Sequence, residues 1–149
     1  MIDDILKKLN FEGLRLGALY KRVIAFFIDE VIISILFYII YANSFNRATT
    51  SAMLIELINM LFLQVILLKV IYHTFFVWMY GATPGKMLLK IKIVSIDGFD
   101  KPNLMSSFIR ATVRIISEMF FYIGFLWAFF DRLRQAWHDK AAKTMVVDV

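Results

Sequence analysis

Two adjacent carboxylates, Asp29 and Glu30, lie inside the first long apolar run of the chain, and Arg22 stands at its edge, seven residues before Asp29. A carboxylate at that depth in a membrane-spanning segment costs on the order of a few kcal/mol and is kept for a partner charge, a cation pathway or a proton relay. The second apolar run carries partners of the right type in Lys69 and His73, four residues apart and therefore on one helical face. If the two runs pack antiparallel, Asp29 lies level with His73, seven residues in from Tyr80, and Lys69 lies one turn deeper. The spacing predicts a cluster of Asp29, His73 and Lys69 with Glu30 beside it. Two readings of that cluster stay open: a site that handles protons or monovalent cations, and an ion pair that locks two helices. Arg22 shares a face with Asp29 but sits about 10 Å away along the axis. It serves either as a counter-charge or as an anchor that snorkels to lipid phosphates.

Other chemistries find no support. There are no cysteines and only two histidines, His73 and His138, in distant segments, so no metal site is expected. The serines lack a nucleophile elbow or a Ser-xx-Lys arrangement. The segment Gly81-Ala82-Thr83-Pro84-Gly85-Lys86 lacks the spacing of a phosphate-binding P-loop and precedes a strand-like stretch rather than a helix. No enzymatic activity and no cofactor are expected. The formal charge of +5 comes from basic residues that flank apolar blocks, which argues against nucleic acid and for membrane topology.

The elements that must position these residues follow from composition. The chain has 149 residues, 60% of them hydrophobic and 19% charged, grouped in long blocks rather than short alternations. This predicts one domain of an all-α membrane protein. Residues 23–41 form span one, at about 1.5 Å per residue long enough for a hydrocarbon core of about 30 Å. Residues 53–80 form an over-long span two, ended by Gly81 and Pro84. Residues 1–22 hold five lysines and arginines and the loop between the spans only Arg47, which predicts a cytoplasmic N-terminus. No cleaved signal peptide is expected in residues 1–13.

The third apolar region, residues 105–130, is interrupted by Arg110, Arg114 and Glu118. Its basic flanks favour a re-entrant pair of short helices, 105–117 and 119–130, with Arg110 and Arg114 on one face and Glu118 paired locally with Arg114. A single tilted third span with an external C-terminus remains the alternative. Residues 90–96 and 144–149 have the texture of strands, the first ending at the turn dipeptide Asp97-Gly98, and could pair as a minimal cytoplasmic β element. Residues 1–12 suit either an interfacial amphipathic helix or an ordinary soluble one.

Arg22, Asp29, the segment from Thr83-Pro84-Gly85-Lys86 through Val94, and Arg134-Gln135-Ala136-Trp137-His138-Asp139 followed by Thr144-Met145-Val146-Val147 together resemble the RDD family of small bacterial membrane proteins. The family's arginine and two aspartates match Arg22, Asp29 and Asp139. The resemblance implies a multi-pass protein of a bacterial inner membrane with a role in transport, an unestablished ligand and no cofactor. The adjacent pair Asp29 and Glu30 departs from the single acid usual in that family's first span. Asp139 could reach the mouth of span one and bond Arg22 as a clasp, or cap the turn formed by residues 140–143. Two functions remain: ion- or proton-coupled transport through an oligomer, since two spans cannot easily enclose a pathway, and a scaffold or accessory subunit whose charges hold helices together. The expected partners are the lipid bilayer, a second copy or another membrane protein, and a proton or monovalent cation.

Overall fold

Apolar side chains along the first span point outward, and the polar ones are gathered inside. In the computed structural model, which describes residues 1–149, helix α1 (Ile2–Phe11) and the short strand β1 (Arg15–Leu16) precede α2 (Leu19–Ile40). Helices α3 (Ala42–Arg47), α4 (Ser51–Met60) and α5 (Phe62–Tyr80) follow, then the one-turn α6 (Pro84–Leu88) and strand β2 (Ile91–Ser95). The C-terminal part contains α7 (Leu104–Met119), α8 (Ile123–Leu126), a 3₁₀ turn (Trp127–Phe129), α9 (Trp137–Ala141) and β3 (Thr144–Asp148).

Helices α2 and α5 are long and apolar enough to cross a membrane. The expectation of one span over residues 53–80 is corrected. The run breaks at Leu61, and only α5 is long enough to span, while α4 is a separate ten-residue helix capped by Thr50, whose hydroxyl accepts from Met53 N at 3.3 Å. Composition does not reveal that break, because no glycine or proline marks it and Asn59 and Gln64 are isolated polar residues in an apolar run. Gly81 ends α5 in the left-handed conformation at φ 71°, which glycine adopts without steric cost.

The strands at Ile91–Ser95 and Thr144–Asp148 pair antiparallel, with Ile93 opposite Val146. A third strand, unforeseen because it is two residues long, joins the other edge of β3 through Arg15 opposite Asp148. The order β1-β3-β2 buries the central strand on both faces. On one face Val94, Met145 and Val147 pack with Leu9 and Leu133, and Ile2, Ile5 and Leu6 of α1 cover them. The apolar stripe of the N-terminal helix thus packs on the sheet. On the other face Ile91, Ile93 and Val146 meet Ala25 and Val77 from the sheet-proximal halves of α2 and α5.

The sheet also decides topology. β1 precedes α2, β2 follows α5 and β3 follows the α7–α8 region, yet all three strands pair, so both termini lie on the same side of the two spans. A third full span with its C-terminus on the opposite side is therefore incompatible with the β2–β3 ladder. The helix pair Leu104–Met119 and Ile123–Phe129 bends by 111°, with Tyr122 left-handed at φ 62°.

Helix α7 is inside out. Ser107, Arg110, Ala111, Arg114 and Ser117 are buried, at spacings of three and four, while Met105, Phe108, Ile116 and Met119 are exposed. That pattern puts polar groups into the protein and apolar ones toward lipid.

Candidate functional site

Three polar groups meet between the spans, the bent pair and the sheet. The first is centred on Asp29, which is wholly buried. Its Oδ1 accepts from the Tyr72 hydroxyl at 2.9 Å and from Gly85 N at 2.9 Å, and its Oδ2 accepts from the Thr83 hydroxyl at 2.5 Å. No cation lies within ion-pair distance of Asp29; its partners are three neutral donors. Such donors satisfy a carboxylate without a counter-ion. Gly85 is required by this approach, since a Cβ there would stand 2.4 Å from Ala25 O and 3.0 Å from the Asp29 carboxylate. The Thr-Pro-Gly segment thus does more than end α5. It docks α6 onto α2.

The expected cluster of Asp29, His73 and Lys69 is therefore corrected. Lys69 turns to the neighbouring acid, with Nζ 2.8 Å from Glu30 Oε2 and 2.7 Å from Glu118 Oε2. Arg114 completes this second group, its Nε 3.2 Å from Glu118 Oε1 and its Nη2 3.6 Å from Glu30 Oε1. The result is a charge-balanced quartet from α2, α5 and α7, and Glu118 is more than the local partner of Arg114. His73 is buried beside Arg114, with Nδ1 3.5 Å from Nη1 and Nε2 without a hydrogen-bond partner. The arithmetic of two antiparallel spans failed because α7 packs between α5 and the rest of the body and supplies its own charges at that level.

The third group is the clasp. Asp139, fully buried, is ion-paired with both Arg22 and Arg110, and it accepts from Ala136 N at 2.8 Å. Arg22 also donates to Arg134 O, and Arg110 to the Thr144 hydroxyl at 2.6 Å. Burial pushes the Asp139 carboxyl upward, but Arg110 and Arg22 outweigh it and hold the group well below the usual carboxylate range. Asp139 does not cap residues 140–143. It is the third residue of α9 and reaches back to the helix start. His138 is held neutral, because burial lowers its pKa further than Asp139 raises it.

Of the six residues singled out in the sequence, Arg22 and Asp139 meet, Glu30 and Lys69 meet, and Asp29 and His73 stand apart from both pairs. Tyr72, Thr83, Arg110, Arg114 and Glu118 complete the networks. The polar face of α7 was readable from the three- and four-residue spacing of Ser107, Arg110, Arg114 and Ser117, whereas the roles of Tyr72 and Thr83 carried no sequence signal. Lys86, in α6, is 6% exposed and has no acid within ion-pair distance. Burial, with a further contribution from Arg114, pushes its ammonium down to about 7 against the opposing pull of Asp29.

The chain is 29% identical over 142 residues to the uncharacterized protein YxaI of Bacillus subtilis, covering 85% of this chain and 93% of that protein. It is 30% identical over 92 residues to the uncharacterized protein RP437 of Rickettsia prowazekii, covering 61% of this chain and 51% of the relative. No solved structure matches it significantly. The RDD family profile matches residues 16–143, a stretch that includes Arg22, Asp29 and Asp139 together with every charged residue of the three polar groups, and the chain belongs to the RDD family of membrane proteins.

Proposed function

We propose that the protein is a subunit of an ion- or proton-coupled transporter, and that exchange takes place at the Glu30–Lys69–Glu118–Arg114 quartet. The observation that carries this reading is the sharing of one lysine ammonium by two carboxylates, at 2.8 and 2.7 Å, within helices of the membrane body. A monovalent cation delivered there would find the acceptors that now hold Lys69, and loss of one proton from the Lys69 ammonium would keep the quartet neutral, so that cation and proton exchange one for one. Asp29, whose acceptors are already engaged by three donors, has a positioning role in this reading.

Two spans do not enclose a pathway, so the pathway is completed by further copies or a partner subunit. The distal halves of α2 and α5 favour this: Val31, Ile35, Leu63 and Leu67 are exposed, and buried residues are confined to Ala25, Asp29 and Ile33 of α2 and Tyr72, His73 and Val77 of α5. In this reading the sheet side faces the cytoplasm of a bacterial inner membrane, which the excess of lysine and arginine on that side supports.

The test is collapse of a pH gradient on adding Na⁺, K⁺ or Li⁺ to liposomes containing the protein at matched incorporation. Wild-type flux that is lost in Glu30→Gln supports the proposal. Background signal in wild type, with Glu30→Gln reducing abundance or assembly instead, favours a scaffold or accessory subunit. A specific observation already gives that second reading weight, since the quartet joins α2, α5 and α7 and the clasp joins α2, α7 and α9.

A further inference from the structure

A cavity of about 480 Å³ lies between α2, α7, α8 and α9, and its lining is divided by chemistry. Arg22, Lys86 and Arg110, with His138, supply its cationic end, and the guanidinium of Arg114 lies over the rings of Phe26 and Phe125; no aspartate or glutamate lines it. The remaining wall is apolar and includes Phe26, Phe125 and Phe129. Val23, Phe27, Leu126 and Phe129 are exposed, so the apolar side opens outward between the first span and the bent helices, where the acyl chains of a bilayer would lie.

Arg114 is balanced within the quartet, and Arg22 and Arg110 share the single carboxylate of Asp139. Lys86 has no acid partner at all. Its buried ammonium is a cation without an anion, in a lining that has none to offer, and the buried Nδ1 of His138 also lacks a hydrogen-bond partner. Arg110 makes its contacts with Asp139 and Thr144 through Nη1, which leaves further donors of the guanidinium fork for a second acceptor. A buried unpaired charge is costly and a bound anion relieves it. Arg22 is in the first turn of α2, so the cationic end lies level with the sheet-side boundary of the spans, at the depth of a headgroup.

We propose that this cavity binds a membrane phospholipid with an anionic headgroup, its phosphate at Lys86 and Arg110 and an acyl chain along Phe26, Phe27 and Phe129. The occupant is a lipid rather than a free anion because the larger part of the wall is apolar and opens sideways between helices. The site borders the quartet at Arg114, but its phosphate contacts, Lys86 and Arg110, lie outside the quartet, and it does not depend on transport.

The test is lipid retention by the full-length protein in phosphatidylcholine nanodiscs containing a minor fraction of phosphatidylglycerol, read by native mass spectrometry. Wild type is expected to retain phosphatidylglycerol over phosphatidylcholine by about tenfold, the scale of one charge-assisted contact. Lys86→Gln should bring that ratio close to one, while Lys101→Gln, at an exposed lysine, leaves it unchanged. Val23→Trp, which narrows the mouth, should lower retention of both lipids. The proposal is overturned if Lys86→Gln keeps the wild-type ratio, if Lys101→Gln loses it equally, or if inorganic phosphate displaces the lipid. If Lys86→Gln does not fold, unchanged retention in Val23→Trp overturns it alone.

Discussion

Removing the shared anion of the clasp should damage the protein far more than removing one of its cations. In Asp139→Asn, Arg22 and Arg110 both lose their carboxylate while staying largely buried, with side chains 11% and 6% exposed. Breaking a buried ion pair by deleting one partner destabilises by about 3–5 kcal/mol, because the remaining charge is uncompensated. Here two guanidinium groups are left facing each other, so the loss should reach the upper part of that range. In Arg22→Gln the Asp139–Arg110 pair survives and its net charge is zero, which limits the loss to about 1–3 kcal/mol. Thermal unfolding in detergent, followed by tryptophan fluorescence, measures both. For a chain of 149 residues, about 2–4 °C per kcal/mol separates the two variants by several degrees. The triple substitution Arg22→Met, Arg110→Met, Asp139→Leu should recover part of the loss, since no charge then remains in the clasp itself. Equal shifts for Asp139→Asn and Arg22→Gln would refute the view that Asp139 neutralises both arginines.

Three further outcomes follow from the other contacts. Asp29→Asn should fold and lose only about 1–2 kcal/mol, because its amide oxygen can still accept from Tyr72 and Gly85 and the Thr83 hydroxyl can turn to accept, whereas Asp29→Leu orphans three donors at about 1–3 kcal/mol each; equal abundance of the two variants in membranes would contradict this. Gly85→Ala should lower abundance sharply, since its Cβ would sit 2.4 Å from a backbone oxygen, and comparison with Ala82→Gly tests whether the effect is specific to that contact. Lys86 titrates near 7 in the folded protein and near 10.5 unfolded, so between those values the unfolded chain holds the extra proton and stability rises with pH. Below about 7 both states are charged and the penalty is fully present. The groups that face Lys86 are Arg22 and Asp29 on α2, His73 on α5, Arg110 and Arg114 on α7 and His138 on α9, so the comparison is wild type minus Lys86→Met, measured from pH 6 to 10. A difference that does not change with pH would refute the assignment. Anionic lipid, which holds the ammonium charged, should move the onset upward.

The spans, the re-entrant texture of residues 105–130 and the two longer strands were legible because each depends on local patterning: hydropathy over a window, charge placement at its edges, alternation before a turn dipeptide. The break at Leu61 was not, since no glycine or proline marks it and hydropathy averaged over a window passes across Asn59 and Gln64. Nor was β1, whose two residues carry no periodicity and become a strand only when β3 offers them an edge. The family motif, Arg22 with Asp29 and Asp139, identified residues of consequence without saying how they are joined.

Partnership was decided by the tertiary structure. Arg22 and Asp139 are 117 residues apart in sequence and Lys69 and Glu118 are 49 apart, and nothing in their spacing distinguishes these pairs from the rejected pairing of Asp29 with Lys69. A buried charge must find some counterpart, which the sequence by itself determined through burial cost. Which counterpart it finds depends on the lateral order of helices and on where the Thr83–Gly85 turn and the polar face of α7 come to rest. Asp29 illustrates the division: its depth in an apolar helix was evident from the chain alone, whereas its use of a tyrosine hydroxyl, a threonine hydroxyl and a glycine amide in place of a cation exists only in the fold.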